Sequence, residues 1–483
     1  MWAGDANWGF LTIVALWLTG FFVLYFAALN TIYLMFIIFG IFGLRRYAHD
    51  VSVASNYTLF RSSLLRPVSI IVPAYNEERN ILETVNSLLL MHYPRFEVIV
   101  VNDGSTDDTL EKLKEQFRLV ERHKVYRRRL PSKPVRALYE SRIHPELVVV
   151  DKENGGKSDA LNCGINVSTY PYYCGIDGDG ILDDEALLKM MRPFLDEPEA
   201  LVAAGGIVRV ANNCIVQRGR VIDVRLPKRL LEIIQVVEYL QAFLSSRVAF
   251  SALNSVLLIS GAFGMFQKEA AIEAGGYRTD TIGEDMELVV RMQRLRHSRG
   301  QRFRMVFVPD PVCWTEVPSD LKSLANQRRR WQKGLIDSLR YNRGMMLNPR
   351  YGVVGLFAMP YYFLFELCGP LVELFGYAMM IVFLVVGVLS WYWVALFFLV
   401  SMGFGMVITA GAILLEELSF HRYPRPLHVL GLLLGGLAYN LGYRQLNALW
   451  RLSATFEYVG GYRLWGRIRR LGFRTTERKP AAA

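Results

Sequence analysis

Two carboxylates, Asp177 and Asp179, close the stretch Cys174-Gly175-Ile176-Asp177-Gly178-Asp179-Gly180. The apolar run before them, Tyr170 to Ile176, reads as a buried strand. Strand side chains alternate faces, so residues two apart can point the same way from its end. Such a pair suits a hard divalent cation, Mg2+ or Mn2+, which takes oxygen ligands and shares them with a substrate's phosphates. Asp and Gly are also the commonest turn residues, and taken alone the stretch reads better as a turn. Gly155-Gly156-Lys157-Ser158-Asp159 joins a flexible loop, a cation and a helix start. Backbone donors and a lysine there suit a diphosphate, although a helix capped by Ser158 explains the same residues. The glycine spacing is not that of a Walker loop. Gly283-Glu284-Asp285 opens a helix, where acids also complement the helix dipole. Gln327, Arg330 and Trp331 stand at i, i+3 and i+4 and share a helix face. An arginine fork suits phosphate oxygens, and an indole suits an apolar ligand face.

These residues need elements to hold them. Val68 to Pro73, Phe96 to Val101 and Leu147 to Val150 read as buried strands, with a helical pattern from Glu78 to Met91 and a helix from Ser158. Strands alternating with helices predict a mostly parallel sheet covered on both faces. Ligands in such sheets bind beyond the carboxyl ends of the strands. Asp103, the segment Lys152 to Lys157 and Asp177 all fall at such ends, which points to one site. Beyond Leu201 the pattern loosens. Arg229 to Phe250 reads as a long amphipathic helix, Ser260 to Phe263 as a tight loop, Glu284 to Arg296 as a helix, and Arg304 to Val308 as a strand leading into Pro309-Asp310-Pro311. Arg118 to Arg142 is rich in arginine, poor in periodicity, and reads as an insertion without an assigned role.

The chain has 483 residues, a formal net charge of +11 and 52% hydrophobic residues, concentrated at its two ends. Phe10 to Leu44 carries no charge and exceeds the ~20 residues that one crossing needs, so it reads as a long, tilted anchor. It lacks the basic start and short apolar region of a cleaved signal. Arg45 and Arg46 follow it, which predicts an outside N-terminus and a cytoplasmic middle. From Ser319, Leu321, Leu324, Trp331, Leu335 and Leu339 recur at helical spacing opposite a basic face, predicting a helix along the membrane surface. Val353 to Val388 is expected to cross, kinked at Pro360 or Pro370, and Trp391 to Leu415 to cross back. Glu416 to Pro426 then reads as a polar loop. Leu427 to Trp450 is expected to be re-entrant or interfacial, because a crossing would export the basic tail. The resulting division is an anchor over 1–50, a cytoplasmic catalytic domain over 51–318, an interfacial helix over 319–350, membrane helices over 351–450 and a basic cytoplasmic tail over 451–483. The basic charge sits beside apolar runs, so lipid headgroups and phosphorylated substrates are its natural partners, and nucleic acid is not. Five cysteines without CxxC pairing or a histidine cluster read as buried thiols in a reducing compartment.

Five stretches occur in order: Pro73-Ala74-Tyr75-Asn76-Glu77, Asn102-Asp103-Gly104-Ser105, Asp177-Gly178-Asp179, Gly283-Glu284-Asp285 and Gln327-Arg328-Arg329-Arg330-Trp331. From Pro67 to Gly334 the chain resembles the membrane-embedded family-2 glycosyltransferases, a group that includes bacterial poly-N-acetylglucosamine, hyaluronan and cellulose synthases. The resemblance implies an α/β GT-A glycosyltransferase domain, a mostly parallel sheet with helices on both faces, inserted between transmembrane helices. It implies that Tyr75, Glu77 and Asp103 hold the uridine of a UDP-sugar, with turn and cap chemistry as their plainer use. Lys157 would meet the diphosphate and Asp159 a sugar hydroxyl. Asp177 and Asp179 would hold Mg2+ or Mn2+ against the donor. Asp285 would be the general base, with Glu284 beside it in the substrate site and bearing the more structural share. Arg330 would contact the diphosphate, Gln327 would belong to the substrate site, and Trp331 would lie under the acceptor sugar at a channel mouth. Arg328 and Arg329 are expected to face headgroups.

The implied function is inverting, metal-dependent transfer from a UDP-sugar, repeated to build and export a β-linked polysaccharide. The implied setting is a multi-pass protein of the inner or plasma membrane with its catalytic domain in the cytoplasm. Its partners would be the UDP-sugar, a carbohydrate or lipid acceptor and the bilayer, with room for accessory export proteins. Single transfer to a lipid acceptor is the rival within enzymes. An inactive membrane scaffold or transport partner is the rival outside them, and intact Asp177, Asp179 and Asp285 argue against it.

Overall fold

The computed structural model describes residues 2–53 and 64–461 except 124, 218 and 424, so the basic tail beyond 461 lies outside the described residues. The chain opens with a long helix, α1 (Trp2–Val53), and then alternates: β1 (Val68–Ala74), α2 (Ile81–Leu89), β2 (Phe96–Asp103), α3 (Thr109–Phe117), β3 (Leu119–Glu121), β4 (Val135–Ser141), β5 (Leu147–Lys152), α4 (Lys157–Val167), β6 (Tyr172–Ile176), β7 (Ile181–Leu182), α5 (Ala186–Asp196) and β8 (Leu201–Val210). A small hairpin of β9 (Ile215–Gln217) and β10 (Arg220–Asp223) precedes α6 (Leu230–Leu240). Then come β11 (Phe263–Gln267), α7 (Glu284–Ser298), β12 (Arg304–Thr315) and α8 (Leu321–Tyr341).

Among the described residues, ten strands form one sheet in the order β3-β4-β5-β2-β1-β6-β11-β8-β12-β7. The central run β5-β2-β1-β6 is parallel, as βαβ alternation requires. β11 runs antiparallel to β6 and β8, and β3, β4 and β7 pair antiparallel at the edges, so the sheet is mixed. Register sorts the two faces. Ile70, Val72, Val98 and Val100 enter one core with Ile81, Val85, Leu187 and Met191 of α2 and α5. Ile71, Ile99 and Val101 enter the other with Ala160, Leu161 and Ile165 of α4. A strand buried on both faces must be apolar throughout, which is why these strands read as unbroken runs.

Two sequence expectations change here. Arg118 to Arg142 is no shapeless insertion, because it supplies β3 and β4, and β4 pairs with β5. The tight loop expected at Ser260 to Phe263 is present, closed by Phe263 N–H donating to Ser260 O at 3.0 Å, and it leads into β11. Pro309-Asp310-Pro311 lies within β12, where the register against β8 slips between Val308 and Val312. Proline cannot donate to a ladder, so the strand bulges there and then resumes.

The later helices are α9 (Gly369–Val385), α10 (Trp391–Ser419), α11 (Pro426–Ala438) and α12 (Arg444–Val459). By length and composition, Gly9–His49 and Trp391–Ser419 are apolar enough to cross a membrane, and Val354–Leu367 with Gly369–Val385, bent by 43°, would make a third span. α11 is about 20 Å long at ~1.5 Å per residue, short of a ~30 Å hydrocarbon core. Leu441 and Gly442 break the helix before α12 begins. α1 ties this block to the sheet: Phe36 packs on Phe250 and Tyr361, and the Asn30 amide donates to the Val400 carbonyl at 2.7 Å. Arg209, at the end of β8, makes a buried bidentate pair with Glu416 at 2.8 and 2.7 Å. Glu416 therefore belongs to the core of α10 and not to a polar loop.

Candidate active site

β6 delivers Asp177 at its carboxyl end, and the turn after it closes with Gly180 N–H donating to Asp177 O at 2.9 Å. Thr84 of α2 donates to Gly178 O at 3.0 Å, fixing that turn from one side. Thr315 of β12 approaches Asp179 Oδ2 at 3.4 Å from the other. Asp179 is only 3% exposed, and both carboxylates line a cavity of about 520 Å³. Lys157 begins α4 and reaches into the same cavity, with Nζ 2.6 Å from Asp177 Oδ1 and 3.4 Å from Glu284 Oε1. Burial opposes the charge on Lys157, but Asp177 and Glu284 outweigh it and push the ammonium's pKa above its ordinary value. Burial pushes the Glu284 carboxyl up, and Asp285 adds to this while Lys157 pulls back.

Asp285 lies in the first turn of α7 and also faces the cavity. Its Oδ2 accepts from Gly261 N–H at 3.1 Å, and its Oδ1 accepts from Met286 N–H at 2.8 Å. A Cβ on Gly261 would stand 2.9 Å from Lys157 Nζ and 3.5 Å from Asp285 Oδ2, so the Gly261 loop touches both groups. α8 starts at an Asp320 cap that accepts from Ser323 N–H at 2.8 Å. It brings Gln327, Arg330 and Trp331 to the cavity, with Trp331 45% exposed. α8 is pressed against the start of α7: a Cβ on Gly334 would lie 2.7 Å from Gly283 Cα. Its other side is covered by α12, through Arg451 to Gln332 (2.8 Å), Lys333 to Glu457 (2.9 Å) and Tyr458 to Asp337 (2.6 Å). Arg328 departs from the expected headgroup-facing role. It is buried, pairs with Glu238 at 2.6 Å and lies 4.2 Å from the Trp331 ring. Arg329 pairs with Glu457 at 3.4 Å.

Lys157, Asp177, Asp179, Glu284, Asp285, Gln327, Arg330 and Trp331 are thus brought together. Tyr75, Glu77, Asp103 and Asp159 stand outside that lining. Tyr75 is 50% exposed, and Glu77 packs beside Gly178. Asp103 accepts from Gly155 and Gly156 N–H at 3.0 and 2.7 Å and pairs with Lys152 at 2.5 Å. Lys152 is fully buried and also pairs with Asp159 at 2.7 Å, while Asp159 accepts from Lys133 N–H. The two acids and one ammonium pin the Glu153–Gly156 loop behind Lys157. Sequence reasoning missed this role for Lys152, as it missed Glu238 and Arg247 on the cavity wall. The far wall of the cavity is aromatic: Tyr25, Phe26 and Tyr33 of α1 face Tyr361, Tyr362 and Phe365.

Among the described residues, no group of three or more His, Cys, Asp or Glu side chains is arranged to hold a metal. A pair of hard carboxylates at a strand end still fits a divalent cation whose remaining ligands come from a substrate's phosphates.

Carboxylates and a cation at the carboxyl ends of α/β strands, open to one cavity, are the layout of an enzyme that handles a phosphorylated substrate. Residues 66–334, more than half of the chain, match the profile of glycosyltransferase-like family 2, and the chain belongs to that family. Its mixed sheet covered by helices is the GT-A type. Residues 279–419 also match a chitin synthase profile. The poly-beta-1,6-N-acetyl-D-glucosamine synthase of Staphylococcus aureus (strain COL) is 29% identical over 271 residues, covering 56% of this chain and 55% of its own. That of Staphylococcus epidermidis is 28% identical over 268 residues, covering 55% and 54%. The chain thus spans about half the length of the curated relatives it matches. Among solved structures, a mannosyltransferase from Pyrobaculum calidifontis in complex with GDP-Man and Mn2+ covers 87% of this chain and 99% of its own, at 18% identity and a TM-score of 0.46.

Proposed function

We propose that this chain transfers a sugar from a UDP-sugar to an acceptor hydroxyl at the cytoplasmic face of the inner or plasma membrane, repeatedly, to build and export a β-linked polysaccharide. The observation that carries this reading is the cavity, which joins Asp177, Asp179 and Asp285 to the aromatic wall made by α1 and the helices after α8. A growing sugar chain needs carboxylate chemistry at one end of its path and flat apolar faces along the rest. The names of the relatives make UDP-N-acetylglucosamine the first donor to test. α1, α10 and the bent pair ending in α9 would provide the crossings of a multi-pass protein.

In the proposed reaction the acceptor oxygen attacks the anomeric carbon from the face opposite the diphosphate. The new glycosidic bond forms as the bond to phosphate breaks, and configuration inverts. Asp285 takes the hydroxyl proton as the attack proceeds, since a neutral hydroxyl is a poor nucleophile. Gly261 N–H holds that carboxylate in place. Lys157 and Arg330 would receive the charge of the departing UDP, helped by Gln327. Asp177 and Asp179 would hold Mg2+ or Mn2+, whose chemistry is to offset charge on a diphosphate leaving group. Tyr75, Glu77 and Asp103, held at the ends of β1 and β2, are assigned to the uridine, and Asp159 to the sugar side of the loop that Lys152 pins. Trp331 offers its exposed ring to the acceptor sugar. The test uses membranes containing the full chain and a panel of labelled UDP-sugars, with products sized before and after digestion by polysaccharide-degrading enzymes. A digestible polymer supports the proposal, one sugar on lipid overturns repeated transfer, and no incorporation overturns the function.

A further inference from the structure

After α6 the helix widens into a π-helical stretch, Gln241–Arg247, before Val248–Ala252 resumes the α form. Such widened turns recur at functional sites because they re-aim one side chain. Here the stretch ends on Arg247, which lines the cavity shared with Asp285 and Tyr362. Arg328, Arg444 and Arg451 on that cavity each have a carboxylate: Glu238 at 2.6 Å, Glu373 at 2.9 Å and Glu366 at 3.4 Å respectively. Arg247 has no carboxylate partner among the described residues. Its guanidinium lies 3.9 Å from the centroid of the Phe243 ring, and its buried Nη1 has no hydrogen-bond partner. Burial pushes its pKa down, and Tyr362 and Asp285 only partly oppose that. A guanidinium stays charged in proteins and carries five donors, and Arg247 is only partly buried on the cavity wall, so a ligand in the cavity can supply acceptors that the protein does not.

We propose that Arg247 binds the acceptor, donating to a planar oxygen on the acceptor sugar, an acyl carbonyl or a carboxylate, while Asp285 takes the proton. This rests on the transferase reading above. The diphosphate end of the cavity already has Lys157 against Asp177. Arg247 is instead set among Phe243, Tyr362 and the field of Asp285, where the attacking sugar must sit. The fork of a guanidinium matches the in-plane lone pairs of such an oxygen better than it matches a lone hydroxyl.

The test takes the purified full chain in lipid nanodiscs, with the donor that the wild type uses and four short acceptors: an N-acetylated oligosaccharide, its de-N-acetylated form, a uronic acid oligosaccharide and a plain hexose oligosaccharide. The wild type is expected to prefer the N-acetylated or the uronic acid acceptor over the plain one by about tenfold or more in kcat/KM, the scale of one charge-assisted hydrogen bond, and the preferred arm identifies the oxygen. Arg247→Met should bring that preference to within about twofold through the acceptor KM, while UDP binding stays within about twofold. Its thermal stability should stay close to that of the wild type, because an apolar side chain of similar length replaces a half-buried arginine that has no carboxylate partner among the described residues. Arg247→Lys keeps the charge without the fork and should lose most of the preference, which keeps the test open if the Met variant misfolds. Preference retained in both variants, no preference in the wild type, a loss of UDP binding of about tenfold, or a stability loss in Arg247→Met without a change in acceptor preference would each overturn the assignment. Wild-type protein that transfers from no UDP-sugar removes the function itself, a failure distinct from any of these.

Discussion

Gly334→Ala separates the two halves of the candidate site without touching a carboxylate. A Cβ at this position would stand 2.7 Å from Gly283 Cα and 3.0 Å from Gly283 N. Carbon atoms rest at about 3.5–4.0 Å, so the helix and loop must part by roughly 0.8 Å or more. Both opposing atoms are backbone, and no rotamer change relieves the contact. α8 carries Gln327, Arg330 and Trp331, and Gly283 leads into Glu284 and Asp285, so the displacement falls between the proposed base and the proposed acceptor platform. A misplacement near 1 Å costs about 10²-fold in rate. Stability moves less. Alanine in a helix interior gains about 1 kcal/mol over glycine, against an overpacking cost of about 1–3 kcal/mol, leaving a net loss of about 0–2 kcal/mol. The expected variant is therefore folded and inserted but slow by about two orders of magnitude. Labelled-sugar incorporation per mole of purified protein gives the rate, and denaturant unfolding in the same detergent gives the stability. Gly344→Ala is the control, since no atom lies within 4 Å of its Cβ position. Gly283→Ala should repeat the effect, its Cβ position being 2.6 Å from Gly334 Cα, and the double variant should cost less than the sum. If Gly334→Ala kept more than about a third of wild-type turnover, the spacing between α7 and α8 would not matter and the site would have to be divided differently.

Three further outcomes are expected. Asp285→Asn should lower transfer by about 10²-fold or more while UDP-sugar affinity stays within a few-fold, because Asn can still accept from Gly261 N–H but takes no proton; binding and turnover measured on one preparation check this. Asp177→Ala or Asp179→Ala should abolish turnover without changing protein level, and wild-type activity that survives full chelation would refute the metal assignment. Lys152→Met leaves Asp103 and Asp159 buried without their shared cation, so unfolding stability should drop by about 3–5 kcal/mol, and adding Asp103→Asn and Asp159→Asn should recover part of it; denaturant titration of the three proteins reads both.

The placement of the candidate residues was legible where it is local. Asp177 ends an apolar strand, Lys157 starts a helix and Asp285 opens another, and each signal lies within about ten residues. β8 and β11 were not legible. β8 carries Gly205, Gly206 and Arg209, which break the pattern of a strand, yet every one of its residues is buried because sheet neighbours and helices cover both faces. β11 is five residues long and is held between β6 and β8, partners distant in sequence. The aromatic wall joins Tyr25 and Tyr33 to Tyr361 and Tyr362, and nothing in either stretch names the other.

The arginine run shows why such gaps are physical. Arg328, Arg329 and Arg330 are adjacent and chemically identical, and a sequence reading treats the first two alike. On an α-helix each successive residue turns by about 100°, so the three side chains leave α8 in three directions. Arg328 meets Glu238 at the cavity's edge, Arg329 meets Glu457 on α12, and Arg330 reaches the cavity beside Trp331. What an arginine does is decided by the element that lies across from it, and that element is set by tertiary packing. Arg247 differs from Arg328 in just this way: both are arginines on helices facing one cavity, but only Arg328 has a carboxylate opposite. Where the fold sets no acid against a cavity-lining guanidinium, an acceptor on a bound ligand can take that place.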